Sequence, residues 1–200
     1  VNIGSGNLRL GKNVWNVDFA PYKNVDVIAD AHDMPFRESS CDGIISDVLL
    51  EHVKASKQCV QEFFRMLKPE GLLYCCIPFI APFHSAPSDY NRWTKEGVKE
   101  LFQDFEIIEL DVAAGPTSGF LWVFQEWLAI LLSFNIKVLY ECLVIVLMVL
   151  TFPLKYLDLI LAKYSYASSI ALSFYVLAKK AKKNALNPEP KNELEYAERF

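Results

Sequence analysis

The sequence predicts an α/β fold built on an open, mostly parallel sheet, and three observations carry that reading. A short apolar strand, Val1-Asn2-Ile3, runs into the turn Gly4-Ser5-Gly6, where glycines let the backbone approach a ligand and take positive φ at little cost. Asp18 closes the apolar run Val14-Trp15-Asn16-Val17. Asp30 closes a third run, Val25-Asp26-Val27-Ile28-Ala29. A carboxylate at a strand tip accepts both hydroxyls of a ribose, so these residues together point to a nucleoside-cofactor site along one sheet edge.

The connections between these strands are short. Seven residues separate Gly6 from Val14, and residues 19–24 link the second strand to the third. Parallel neighbours normally need a crossover of about a dozen residues or more, so the first crossover helices are predicted to shrink to turns. Further on, Ile44-Ile45-Ser46-Asp47 reads as a fourth strand, residues 56–67 as an amphipathic helix and residues 72–78 as a buried strand. Residues 94–102 read as a helix with Thr94 as N-cap and Glu96 in its first turn. Residues 105–112 complete the series as a sixth strand. A dinucleotide site would want a third glycine and an acid about 20 residues further on. Leu8 or Arg9 stands where that glycine would be and Asp18 comes early, which argues against a nicotinamide oxidoreductase.

Two hundred residues at a formal charge of −4 fit one domain with an appendage. There is no basic arm or stripe, so no nucleic-acid partner is expected. The five cysteines, Cys41, Cys59, Cys75, Cys76 and Cys142, show no CxxC spacing and read as reduced, intracellular core filling. The chain opens without Met directly at its first strand, and a preceding segment is expected.

Ordered motifs then identify a family. Asp30-Ala31-His32-Asp33-Met34-Pro35-Phe36 is followed by Ser40-Cys41-Asp42-Gly43-Ile44-Ile45-Ser46-Asp47. Leu50-Glu51-His52-Val53 and Arg65-Met66-Leu67-Lys68-Pro69-Glu70-Gly71 come next. Over residues 1–110 the chain resembles the class I S-adenosylmethionine-dependent methyltransferases, in particular the small-molecule branch related to the quinone-biosynthesis enzymes. The resemblance implies a Rossmann-like fold and S-adenosyl-L-methionine as cofactor. It places Gly4, Ser5 and Gly6 under the methionine part, Asp18 on the ribose, and Asp30 with Ala31 beside the adenine. Two departures stand out: Asn2 replaces the usual acid, and Leu8 lies near the place of an often-present third glycine.

Asp47 lies at the carboxyl edge, where ligands bind in open α/β sheets, and is placed to face the methionine amino group. Glu51 and His52 follow it, with His52 a candidate for the substrate and Glu51 a candidate helix cap. The most unusual segment is the proline-stiffened loop over residues 78–94, which presents His84, Asp89, Tyr90, Arg92 and Trp93. Similar loops in this branch face the acceptor. His84 is the candidate general base, because an unperturbed imidazole titrates near neutrality. Asp89, Tyr90 and Arg92 are candidates for binding the substrate, with Arg92 suited to a phosphate or carboxylate. The opposing reading is a loop in which Asp89 and Arg92 merely pair. His32, His52 and His84 are far apart in the chain and lack metal-ligand spacing, so no metal is expected.

From Gly119 the chain becomes strongly apolar. Residues 138–154 hold only Glu141 as a charge, and residues 164–178 carry none but include four serines. Pro153, Lys155 and Asp158 interrupt the longer run. Spanning a bilayer takes about 20 apolar residues, so two short apolar helices in a re-entrant or interfacial hairpin are expected. Lysines 179, 180, 182 and 183 would then lie on an anionic cytoplasmic surface. The alternative has these helices cover a bare sheet face or form a homodimer interface.

The expected organisation is a methyltransferase core over residues 1–115, a hydrophobic helical C-terminal extension over residues 116–183 and a polar tail over residues 184–200. The expected function is S-adenosylmethionine-dependent O- or C-methylation of a small or lipid-linked acceptor by a cytoplasmic, membrane-associated protein. The alternative is a membrane-tethered scaffold with this fold and no activity.

Overall fold

A computed structural model describes residues 1–181; Lys182, Lys183 and the expected polar tail lie outside the described residues. Seven strands form one sheet in the order β3-β2-β1-β4-β5-β7-β6. They are β1 (Asn2–Ile3), β2 (Asn16–Asp18), β3 (Val27–Ile28), β4 (Cys41–Asp47), β5 (Leu67–Pro78), β6 (Glu106–Ala114) and β7 (Ser173–Lys179). The first five run parallel to one another, whereas β7 pairs antiparallel with both β5 and β6. As the short connections predict, no helix joins β1 to β2 or β2 to β3, and none joins β3 to β4 either.

Helix α1 (Ser56–Met66) follows β4 and buries Cys59, Val60, Phe63 and Met66, the helical spacing of one apolar stripe. Arg65 on the same helix pairs with Glu62 and donates to the carbonyls of Met34 and Phe36, which ties down the helix-free stretch before β4. Helix α2 (Lys95–Leu101) starts where expected, with the Thr94 hydroxyl accepting from the Gly97 amide at 3.1 Å. Under these helices lie Ile44, Leu73, Cys75, Ile77, Phe102 and Phe174, each almost fully buried. Cys41, Cys59, Cys75 and Cys76 are buried free thiols and Cys142 is exposed.

Residues 164–178 depart from expectation. Their second half is no helix but strand β7, with Phe174, Val176 and Ala178 at most 1 % exposed. Two flanking ladders satisfy its backbone, and three small or aromatic side chains fill the core face, a demand that local apolarity alone does not reveal. Lys179 and Lys180 consequently belong to the fold rather than to a membrane-facing cluster. Lys179 pairs with Glu70 and Glu106, and Lys180 Nζ donates to the carbonyl of Leu67 at 2.8 Å beyond the end of α1.

The apolar helices are thus an insertion between β6 and β7. They comprise α3 (Pro116–Leu132), α4 (Lys137–Thr151), a 3-10 segment (Phe152–Leu157) and α5 (Asp158–Leu161). Both ends of the insertion lie together, since the Leu172 amide donates to the Ala114 carbonyl at 2.9 Å. Asp158 from the returning arm caps α3, accepting from the Thr117 and Ser118 amides at 2.8 and 2.9 Å. The helices do not cover the exposed sheet face: α4 has no buried residue, and Leu72 and Tyr74 remain 47 % and 37 % exposed.

Candidate active site

The carboxyl ends of the parallel strands gather nearly every residue the motifs single out. Beyond β1, Gly4 and Gly6 adopt φ of +74° and +51°, a region that side chains rarely occupy. A Cβ on Gly4 would meet Leu49 at 3.0 Å, whereas one on Gly6 would meet nothing within 4 Å. Gly6 therefore has open space beside it. Ser5 between them is buried. Asp18 at the tip of β2 accepts from the Gly6 amide at 2.8 Å and the Ala20 amide at 2.9 Å, so its carboxylate orders the glycine turn.

Beyond β3, Asp30 accepts from the His32 amide and lies 2.6 Å from His32 Nδ1. The backbone bond to His32 holds the Asp30 carboxyl below its ordinary range, with the ring bond second. His32 is thereby occupied by Asp30. Ala31 is half-buried beside them. Asp47 is exposed at the end of β4, and Val48 after it has φ of 49°. A β-branched residue in that region is strained, and the strain lies at the edge where the motifs converge.

The acceptor loop folds differently from its simplest sequence reading. Arg92 uses all five of its donors within the protein: Nε to the Ala81 carbonyl, Nη1 to Asp89 and the Asn91 carbonyl, and Nη2 to Asp89 and the Pro82 carbonyl. No donor is left for a substrate anion. Asp89 is 2 % exposed in its side chain, accepts from the His84 amide at 2.8 Å, and is held far below the usual carboxylate range, first by Arg92. The pair builds the loop, the opposing reading of this segment, and a substrate contact by Asp89 or Arg92 would have to displace one of these bonds. Tyr90 is exposed, with Lys54 5.9 Å from its ring centroid, and its amide donates to the Glu51 carbonyl at 2.7 Å.

The loop's main effect is to bring His84 against His52. Their ring centroids lie 5.3 Å apart, edge to face, and Trp122 of α3 lies 5.3 Å from His84 on another side. Two histidines that are far apart in the chain therefore share one site, against the expectation from their spacing. Between them sits Glu51, with a fully buried side chain and its Oε1 3.8 Å from Nε2 of each histidine. Among the described residues neither Glu51 oxygen has a hydrogen-bond partner. Burial pushes its pKa up, against the pull of His52, His84 and Arg92. Sequence reasoning left Glu51 as a helix cap; the signal available was one acid inside the apolar run Val48–Val53. Nothing in the sequence points to Trp122.

Comparison with known proteins bears on the fold and on the N-terminal part of the chain. Residues 5–75 match the methyltransferase domain family. An uncharacterized protein of Haemophilus influenzae is 30 % identical over 99 residues, 44 % of this chain and 39 % of that protein, so the match spans about two fifths of the relative's length. The chain superimposes on the cyclase SpnF with a TM-score of 0.55 at 16 % identity, covering 90 % of this chain and 73 % of that one. It superimposes on the 1,6-didemethyltoxoflavin-N1-methyltransferase of Burkholderia thailandensis, solved with its substrate and S-adenosylhomocysteine, with a TM-score of 0.54 at 12 % identity over 90 % and 70 % of the chains. A structure of a Haloferax volcanii putative methyltransferase with its Trm112 activator gives 0.53 at 16 % identity over 90 % and 81 %. Residues 5–75 thus resemble the methyltransferase domain family, and the chain shares the fold of these superimposed structures.

Proposed function

We propose that the protein is a membrane-associated methyltransferase that uses S-adenosyl-L-methionine on a small, lipid-linked acceptor. The observation that carries this reading is the convergence at one sheet edge of the Gly4–Gly6 turn, Asp18, Asp30 and Asp47 on four neighbouring strands, with His52 and His84 beyond them. Asp18 takes the ribose through its remaining lone pairs, Asp30 and Ala31 flank the adenine, and Asp47 faces the amino group of the methionine part. Gly4, Ser5 and Gly6 bring backbone under that part without a side chain in the way. When bound, the cofactor would supply an electrophilic methyl group to a lone pair of the acceptor oxygen or carbon, its sulfur keeping the electron pair of the broken bond, and the acceptor's proton would be lost at the His84 end. Such a displacement depends mainly on alignment and exclusion of water, a task for the loop around His84 and for Trp122.

The membrane part of the reading rests on the insertion. The Lys137–Leu161 run has the length and composition to cross a membrane, with a mean hydropathy of 2.1 and none of its apolar window buried. Phe120, Trp127, Ile130, Val149 and Leu150 are exposed as well. Polar groups of these helices find partners across the helix seam: Gln125 donates to Thr151 at 2.6 Å, and the Tyr140 hydroxyl donates to Glu126. Internal satisfaction of this kind is what a lipid environment demands. Because Trp122 of α3 touches His84, the hairpin leads from the apolar layer to the acceptor end of the site, which favours a lipid-linked acceptor such as those of the quinone-biosynthesis branch.

Calorimetry with S-adenosylmethionine and S-adenosylhomocysteine tests the reading. Both ligands bind in the micromolar to sub-millimolar range, and Asp18→Asn weakens each about ten- to a hundred-fold by removing charge from the ribose bonds. Absence of binding at millimolar cofactor overturns it in favour of a scaffold that keeps the fold alone.

A further inference from the structure

We propose that Glu51 Oε1, His52 Nε2 and His84 Nε2 form a binding site for a divalent transition cation of the zinc type. The three ligand atoms lie within 4.8 Å of one another. Donors on a tetrahedral zinc ion, at bonds of about 2.0–2.2 Å, sit roughly 3.4 Å apart. The 3.8 Å from each Nε2 to the carboxylate therefore closes onto an ion with a shift of a few tenths of an ångström.

Two features distinguish this cluster from an accidental one. First, each histidine spends its other nitrogen on a backbone carbonyl: His52 Nδ1 lies 2.6 Å from the Ser88 oxygen and His84 Nδ1 lies 2.9 Å from the Pro82 oxygen. A carbonyl only accepts, so His52 Nδ1 carries the proton and its Nε2 turns a lone pair toward Glu51; His84 Nδ1 is held between the Pro82 carbonyl and Arg92 Nη2 at 3.2 Å, with its Nε2 facing Glu51. Metal-bound histidines are oriented and tuned in this way. Second, Glu51 is buried with neither oxygen paired among the described residues. A buried carboxyl group without a partner is costly to the fold. Two imidazole nitrogens and one desolvated carboxyl group facing one point are what a cation between them would satisfy. The donor set of two imidazoles and one carboxylate suits zinc, cobalt or iron(II) rather than magnesium or calcium.

Three protein ligands leave at least one coordination position open. His84 is 29 % exposed in its side chain and His52 12 %, so the open position would lie on the side of the cluster that solvent reaches. There it would hold an oxygen of the acceptor and lower that oxygen's pKa, making His84 a ligand where the metal-free reading makes it the base. This last step rests on the methyltransferase reading; the metal site itself does not.

The test is metal binding by the full chain, with no turnover involved. The purified protein is dialysed against Zn2+ and then metal-free buffer, metal is counted by mass spectrometry, and Co2+ is titrated with absorbance as the readout. About one equivalent per chain is expected, with the intense visible bands of a four-coordinate Co2+ site. Glu51→Gln and His52→Ala each weaken binding at least ten-fold while circular dichroism confirms the fold. Cys142→Ser and His32→Ala, which lie outside the cluster, leave binding unchanged. Less than about a tenth of an equivalent, or binding that survives Glu51→Gln, overturns the site. Cofactor binding without metal binding sinks this proposal alone, and metal binding without cofactor binding sinks the methyltransferase reading alone.

Discussion

Arg92 illustrates how one side chain acts through others. Its five donors hold Asp89 and three backbone carbonyls in place, and that network fixes the loop from which His84 meets His52 and Glu51. Lysine offers three donors on a flexible stem and reproduces neither the fork nor the reach. Arg92→Lys is expected to lower stability by about 1–3 kcal/mol in urea unfolding and to reduce turnover with little change in cofactor affinity. A variant that loses substrate affinity alone, with stability intact, would restore Arg92 to the acceptor site. If His84 acts on the acceptor side as proposed, His84→Ala should reduce kcat about a hundred-fold or more. Its cofactor Kd should stay within about two-fold of the parent. Equal losses in both quantities, or none in either, would remove His84 from the chemistry.

Strand β7 is the element on which the architecture depends. It fills the gap between β5 and β6, and it delivers Phe174, Val176 and Ala178 to the core. Phe174 is 1 % exposed and stacks on Phe79 with ring centroids 5.6 Å apart. Phe174→Ala is therefore expected to cost about 3–5 kcal/mol by chemical denaturation. A loss below about 1 kcal/mol would place β7 outside the cooperative core. Helix α3 is seated just as closely at one point. A Cβ on Gly119 would come within 2.6 Å of the Ile170 carbonyl oxygen, and backbone does not yield as a flexible side chain does. Gly119→Ala should tilt α3 away from the returning arm, destabilising the fold by about 1–3 kcal/mol and separating Trp122 from His84. Unchanged tryptophan fluorescence and an unchanged unfolding midpoint would count against that packing.

At the scale of the whole molecule, the apolar hairpin and the sheet are separable in a way a simple truncation would miss. Cutting the chain after residue 135 removes β7 along with α4 and α5, leaving β6 unpaired and β5 with an open edge prone to aggregation. Because Ala114 and Leu172 are hydrogen-bonded neighbours, a two-residue Asn-Gly turn in place of residues 116–170 joins β6 to β7 as a plain hairpin. The shortened protein is expected to be soluble without detergent, to bind S-adenosylmethionine and to stay in the supernatant when vesicles are sedimented. The full chain is expected to sediment with them. A shortened protein that unfolds, or a full chain that ignores vesicles, would assign the hairpin to the fold rather than to a membrane.

The sequence by itself determined the cofactor edge. The glycine turn, Asp18 and Asp30 are local features whose chemistry needs only a strand and the residue that ends it, and the short connections already excluded the first crossover helices. The Thr94 cap and the α1 stripe were legible for the same reason, since both are set within a few residues. Tertiary structure decided the rest. An apolar run of five residues at 174–178 is equally good as helix or strand until two waiting strand edges claim it. The Glu51–His52–His84 cluster joins residues more than thirty positions apart through a loop whose path depends on the internal bonds of Arg92. Arg92 looked available for an anion because sequence shows a side chain's donors but not the carbonyls that the fold brings within their reach.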